Sequence, residues 1–194
     1  MGSETEQPVE KKPKESKDGT LYGAIEWFED FILVLGIFCI IFTFVVRQIS
    51  VDGHSMEPNY LDQERVLITA HAGPLVQGDV VVVINAIEEG PIIKRVIATE
   101  GQTVDFDADQ GRVLVNNTPL NDEQYGVENG ITFEYNNEIA SLMPMEIPKG
   151  CVFVLGDNRQ NSKDSRFFGP VDTRNILGKA IWKFYPLSEF GAAG

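Results

Sequence analysis

Gly78-Asp79-Val80-Val81-Val82-Val83-Ile84-Asn85-Ala86-Ile87-Glu88-Glu89-Gly90-Pro91-Ile92-Ile93-Lys94-Arg95-Val96-Ile97-Ala98 holds two runs of β-branched residues on either side of an acidic Gly-Pro turn. Branching at Cβ suits a pleated, half-buried surface. Short apolar runs bounded by Gly, Pro and acids read as strands joined by a hairpin. The same pattern continues outward. Arg65–Ala70, Thr103–Phe106, Arg112–Val115, Gly150–Leu155 and Ile176–Phe184 read as further strands, with turns at Asp109-Gln110-Gly111, Asn116-Asn117 and Gly156-Asp157-Asn158. Many short strands separated by turn residues predict a mainly β body, a coiled or barrel-like sheet. Residues 121–147 are acidic and polar with scattered aromatics, and are expected to form a loop-rich insertion.

The chain before this body is different. Residues 1–20 hold four lysines and five acids with almost nothing to bury, which predicts a solvated, disordered tail extending to residue 26. Phe31 to Val46 is a run of 16 uncharged residues, FILVLGIFCIIFTFVV. Extended to residues 27–49, it reaches the roughly 20 residues a helix needs to cross a bilayer core. Trp27 and Phe28 suit one interface, and Arg47 can snorkel at the other. A core helix would keep a polar face, and a cleavable leader would be followed by a small-x-small site rather than Arg47-Gln48-Ile49-Ser50-Val51. A single N-terminal transmembrane helix is therefore expected, ahead of a β-rich domain over residues 50–194. Lysines before the run and arginines after it nearly balance, so charge alone does not orient it.

A formal net charge of −13 argues against nucleic-acid binding, which needs a clustered basic face, and against docking on anionic lipid. Cys39 lies in the apolar run and Cys151 far downstream, so no disulfide is expected. Two histidines and two cysteines make no metal-ligand cluster of familiar spacing.

The chemistry-bearing residues lie in three stretches. Val51-Asp52-Gly53-His54-Ser55-Met56-Glu57-Pro58 follows the apolar run and offers a serine hydroxyl on a small-residue turn. Such a hydroxyl is a poor nucleophile without a base, and taken alone Ser55 is an ordinary loop serine. His54 is adjacent in sequence, and adjacent side chains on extended backbone point to opposite faces. His71 has no convincing acid partner. Lys94 is the better candidate. Alternation places Ile92, Lys94, Val96 and Ala98 on one otherwise apolar face, so the lysine stands either at an open edge or buried. Burial disfavours the ammonium and lowers its pKa. A neutral lysine can serve as a general base, and Ser-Lys pairs are a variant of the serine-nucleophile design. Arg95, on the opposite face, reads as a solvent-facing charge. The third stretch, Gly156 to Val171, is dense in hydrogen-bonding groups and closes a buried strand. There Ser162 or Ser165 could aim a lysine, and Asp164 could pair with Arg166.

Ser55-Met56-Glu57-Pro58 resembles the nucleophile motif Ser-Met-x-Pro of bacterial type I signal peptidases. Gly78-Asp79-Val80-Val81, Lys94-Arg95-Val96 and Gly156-Asp157-Asn158-Arg159-x-Asn161-Ser162-x-Asp164-Ser165-Arg166-x-x-Gly169-x-Val171 resemble that family's other motifs, in the same order. The resemblance covers the chain from the anchor to about Trp182. It implies a membrane-anchored serine endopeptidase with a Ser55–Lys94 dyad and no cofactor. Ser162 would orient the lysine, and Asp164 and Arg166 would support the site. Some members carry an oxyanion-stabilising serine where this chain has Gly53. The implied substrates are signal peptides of exported proteins with small residues at positions −1 and −3, lying extended along strands around Val51–Asp52 and Gly78–Ile84. The implied location is the cell membrane, single-pass, with the tail in the cytoplasm and the catalytic domain outside. Two other readings remain: a non-catalytic membrane-tethered β-domain that binds or assembles exported proteins, and a self-cleaving repressor. The repressor would need a DNA-binding domain, for which the tail is too short and acidic.

Overall fold

A computed structural model describes residues 17–44, 46–70, 73–84, 90–133, 138–186 and 190–192, with side chains for all but 17–21, 41–44 and 192. His71 and the Glu88-Glu89 turn lie outside the described residues. The chain divides into two compact units, residues 1–41 and residues 42–194.

The first unit holds most of helix α1 (Lys17–Phe44). Its described apolar side chains are exposed on every side: Trp27, Phe28, Phe31, Ile32, Leu33, Val34, Leu35, Ile37, Phe38 and Ile40 all face outward. Trp27 and Phe31, one turn apart, stack at 6.0 Å. Among the described residues no helix is long and apolar enough to cross a membrane. The helix differs from the expected 27–49 at both ends. It starts ten residues earlier, at Lys17, and stops at Phe44. Val46–Ser50 is strand β1, since Ile49 packs on a core that β1 reaches by pairing with Arg65–Thr69 (β2).

The second unit is mainly β. The remaining strands are β3 (Val80–Val83), β4 (Ile92–Thr99), β5 (Thr103–Asp107), β6 (Arg112–Val115), β7 (Thr118–Pro119), β8 (Met145–Glu146), β9 (Cys151–Leu155), β10 (Val171–Asp172), β11 (Ile176–Tyr185) and β12 (Gly191–Ala192). One large sheet runs β1-β2-β11-β3-β4-β9-β10, with β12 added to β11, and every pair in it is antiparallel. Register shifts along β11 and between Val96 and Ala98 of β4 mark the bulges that bend such a sheet. A second sheet, β7-β6-β5-β8, is built from the turn-rich middle of the chain.

Both faces of the large sheet are covered. Val80, Val82 and Ile93 join one cluster with Val51, Met56, Tyr60, Val66, Ile68 and Ala180. Val81, Val83, Val96, Val152, Val154 and Val171 form another. A third, around Phe153, Leu155 and Ile97, lies against the second sheet through Val104, Val113 and Val115. This two-sided burial explains why β3 is four valines without alternation. It also overturns the reading of Arg95 as a solvent-facing charge. Alternation places Arg95 opposite Lys94, but that face is roofed too, and Arg95 is 1% exposed.

The described residues of 121–147 include two 3₁₀ turns, Asp122–Tyr125 and Ala140–Leu142, and the short β8. The segment is anchored by side chains: Asp122 and Thr132 are fully buried.

Phe153 is fully buried where the two sheets meet, whereas Leu142 is 56% exposed. Phe153→Ala should cost about 3–5 kcal/mol of unfolding free energy in urea. Leu142→Ala should stay within about 0.5 kcal/mol.

Candidate active site

Ser55 sits in a loop between β1 and β2 whose ends are tied together. Val51 donates its N–H to Glu64 C=O at 2.8 Å, and Gln63 donates back to Val51 C=O at 2.9 Å. Met56 and Tyr60, both essentially unexposed, plug the loop into the core. Gly53 adopts φ +84°, a backbone that side chains rarely tolerate, and its N–H donates to Asp62 Oδ1 at 2.9 Å. That bond holds the carboxyl of Asp62 below its ordinary pKa. Gly53 therefore spends its donor on the loop. Among the described residues no acceptor meets the backbone N–H of Ser55.

Lys94 lies on β4 between β3 and β9, paired with Val81, so it is on an interior strand and not at an edge. It is 3% exposed. Lys94 Nζ is 2.7 Å from Ser55 Oγ in hydrogen-bond geometry and donates to Ile93 C=O at 2.8 Å. Two residues 39 positions apart thus meet at a cleft of about 250 Å³. Its wall includes Asp52, His54, Ile92, Ile93, Asn161 and Lys163. The expected lining around Gly78–Ile84 is not there. Val80–Val83 face the cores on both sides, and the Tyr125 ring covers Gly78 so closely that an added Cβ would stand 2.9 Å from it.

The polar stretch after β9 wraps the back of the nucleophile loop. Asn158 donates its N–H to Ser55 C=O and its side-chain amide to His54 C=O, both at 3.0 Å. Ser162 is 4% exposed, and its Oγ lies over the α-carbon of Gly156 beside the Ser55 carbonyl. Ser165 is committed elsewhere, since its Oγ accepts the N–H of Val154 at 2.9 Å. Asp164 caps helix α2 (Ser165–Phe168), takes both arms of Arg166 at 2.8 Å and accepts the N–H of Gly156 at 3.0 Å. Ser55, Lys94, Ser162, Asp164 and Arg166 are thereby gathered around one cleft and its supporting loop, with Gly53 on the same turn as Ser55.

Several residues of this assembly have no site role in the sequence reading. Arg95 makes a two-armed bond with Asp157 at 2.8 and 2.7 Å, with both side chains buried. Asn59 of the nucleophile loop joins the same carboxylate at 2.8 Å. A second buried pair, Arg159 and Asp122 at 2.7 Å, ties the polar stretch to the middle of the chain. The adjacency of Arg95 to Lys94, and of Asp157 to Asn158, was a usable signal for the first pair. Nothing in the acidic stretch around Asp122 distinguished it from solvated neighbours.

His54 is 60% exposed and bonds Glu57 Oε1 at 2.8 Å, on the rim beside the dyad cleft. The bond and charge of Glu57 raise its pKa above the usual imidazole value.

The family model for signal peptidase, peptidase S26, matches residues 24–185. This chain belongs to the signal peptidase family. Signal peptidase IB of Staphylococcus aureus (strain N315) is 34% identical over 180 residues, covering 86% of this chain and 92% of that protein. Signal peptidase I of Leptolyngbya laminosa is 33% identical over an alignment of 200 residues, covering 97% of this chain and 90% of that protein. A crystal structure of a signal peptidase I from Enterococcus faecalis V583 is 25% identical and covers 55% of this chain and 96% of that one, with a TM-score of 0.45. As a signal peptidase, the chain is a serine endopeptidase that removes signal peptides from exported proteins.

Gly156 gives a sharp test of how closely the cleft is built. A Cβ there would fall on Ser162 Oγ and on the Ser55 carbonyl oxygen. Gly156→Ala should lower the peptide cleavage rate by roughly 10²-fold through displacement of the nucleophile loop. Thermal denaturation should show that the variant still folds.

Proposed function

We propose that signal peptide removal runs through a Ser55–Lys94 acyl-enzyme mechanism. The observation that carries it is the 2.7 Å approach of a buried lysine nitrogen to a loop serine hydroxyl. Neutral Lys94 takes the proton of Ser55 Oγ as Oγ bonds to the scissile carbonyl carbon. Ser55 N–H donates to the oxyanion that forms. The protonated Lys94 hands its proton to the leaving amine as the C–N bond breaks, which leaves an acyl-serine. Lys94 then takes a proton from water, whose oxygen attacks the ester carbon, and returns it to Ser55 Oγ. The bond from Nζ to Ile93 C=O uses one N–H of the neutral amine and aims its lone pair. Burial favours this neutral form, since it disfavours the ammonium.

Ser162, Asp164 and Arg166 hold supporting roles in this reading. Ser162 stands beside the Ser55 carbonyl, and the Asp164–Arg166 pair fixes the start of α2 and the Gly156 backbone. The substrate lies extended along the cleft with small side chains at −1 and −3. Ile92 and Ile93 on the wall suit small apolar groups. Nucleic acid has no place in this reading.

The location belongs to the same proposal. On this reading α1 is a single-pass anchor, the N-terminal tail lies in the cytoplasm and the catalytic domain lies outside the membrane. The exposure of its apolar side chains on every face supports burial in lipid.

Cleavage of a peptide bearing Ala-x-Ala tests the mechanism. Ser55→Ala and Lys94→Met should each lose roughly 10⁴-fold or more. The wild-type rate should fall toward acid pH, because below its pKa Lys94 already holds the proton it must accept. Activity surviving both substitutions would remove the dyad.

A further inference from the structure

Residues 121–133 reach all three segments that form the site. The carbonyl of Tyr125 accepts the side-chain amide of Asn59, on the nucleophile loop, at 2.6 Å. The ring of Tyr125 lies over the guanidinium of Arg95, the residue after the base, with Cζ 4.9 Å from the ring centre. Asp122 pairs with Arg159 on the polar stretch at 2.7 Å, and Thr132 Oγ1 accepts from the same arginine at 2.9 Å. Phe133 C=O accepts from Arg166 at 3.1 Å. The fit is close on both sides of Tyr125. Its ring crowds Gly78, whose carbonyl also accepts from Arg95 at 2.9 Å, and a Cβ added at the next residue, Gly126, would stand 2.9 Å from Asn59 Oδ1.

We propose that this segment is a brace for the catalytic site, and that Tyr125 is a positioning residue acting through Arg95 and Asn59 on the Ser55–Lys94 distance. The inference rests on the dyad mechanism proposed above. Its physical content is the roofing of the Arg95–Asp157 pair. A guanidinium under an aromatic face keeps a cation–π contact while water is excluded, and exclusion of water strengthens the charge pair beneath. Asp157 is bonded to Arg95, beside the base, and to Asn59, on the nucleophile loop. It precedes Asn158, which clamps the Ser55 carbonyl. Loss of the ring leaves room for water at the pair, and the three segments then move independently. A phenyl ring preserves the roof; an aliphatic side chain does not.

The test compares full-length Tyr125→Phe, Tyr125→Leu and a control, Val152→Ala, which opens the core at β9 in a cluster that does not include Tyr125. All are assayed with the Ala-x-Ala peptide well below their Tm. The brace predicts kcat down roughly 10- to 100-fold in Tyr125→Leu with KM changed by less than about twofold. It predicts near wild-type kcat in Tyr125→Phe, and in Val152→Ala despite that control's lower Tm. If Tyr125→Leu keeps the kcat of the control, or if Tyr125→Phe falls as far as Tyr125→Leu, the brace is wrong. Should Tyr125→Leu not fold, Asp122→Asn carries the same comparison: a kcat loss beyond the control supports the brace, and its absence overturns it. Failure of the brace is separable from failure of the dyad, because in the first case Ser55→Ala is still inactive.

Discussion

The buried Arg95–Asp157 pair is the constraint on which the site depends. It joins the strand carrying Lys94 to the stretch carrying Asn158 and Ser162, and Asn59 ties the nucleophile loop to the same carboxylate. No single element could bring Ser55 and Lys94 to 2.7 Å, since one lies on a loop and the other on an interior strand. A lysine and a serine on separate segments need a third body fixed to both. Removing one partner of a buried ion pair costs about 3–5 kcal/mol, because the other charge is left without compensation. The pair therefore couples site geometry to fold stability.

Three such pairs, Arg95–Asp157, Arg159–Asp122 and Arg166–Asp164, lie behind the cleft with almost no exposure. Hydrophobic residues of similar volume often serve stability as well as buried ion pairs do. Their use here fits a requirement for direction. Two-armed guanidinium–carboxylate bonds fix orientation as well as distance. The cores around them are apolar and conventional; the polar network is confined to the layer that positions Ser55, Lys94 and Ser162.

Much of this was legible in the sequence, for identifiable reasons. Strand positions followed from β-branched runs and their turns, and β3, β4, β6, β9 and β11 begin within a residue of where the pattern places them. Lys94 stood out because it breaks an apolar face. Arg95 was misread because alternation tells which face a side chain takes, not what covers that face; the roof comes from Tyr125, thirty residues on. Val46–Ile49 reads as part of the apolar run because Val46 and Ile49 suit a helix in lipid as well as a strand. Asp122 carried no local mark at all, since a buried aspartate and a solvated one look alike until the arginine facing it is known.

The most direct test of the account is the cleavage rate of Asp157→Asn, measured at a temperature where circular dichroism shows both it and the wild type folded. The substitution keeps the shape of the side chain and removes the charge that Arg95 grips. If the pair holds Ser55 and Lys94 together, kcat/KM for the Ala-x-Ala peptide falls by roughly 10- to 100-fold in the folded variant. A folded Asp157→Asn enzyme that cleaves at the wild-type rate would contradict the account.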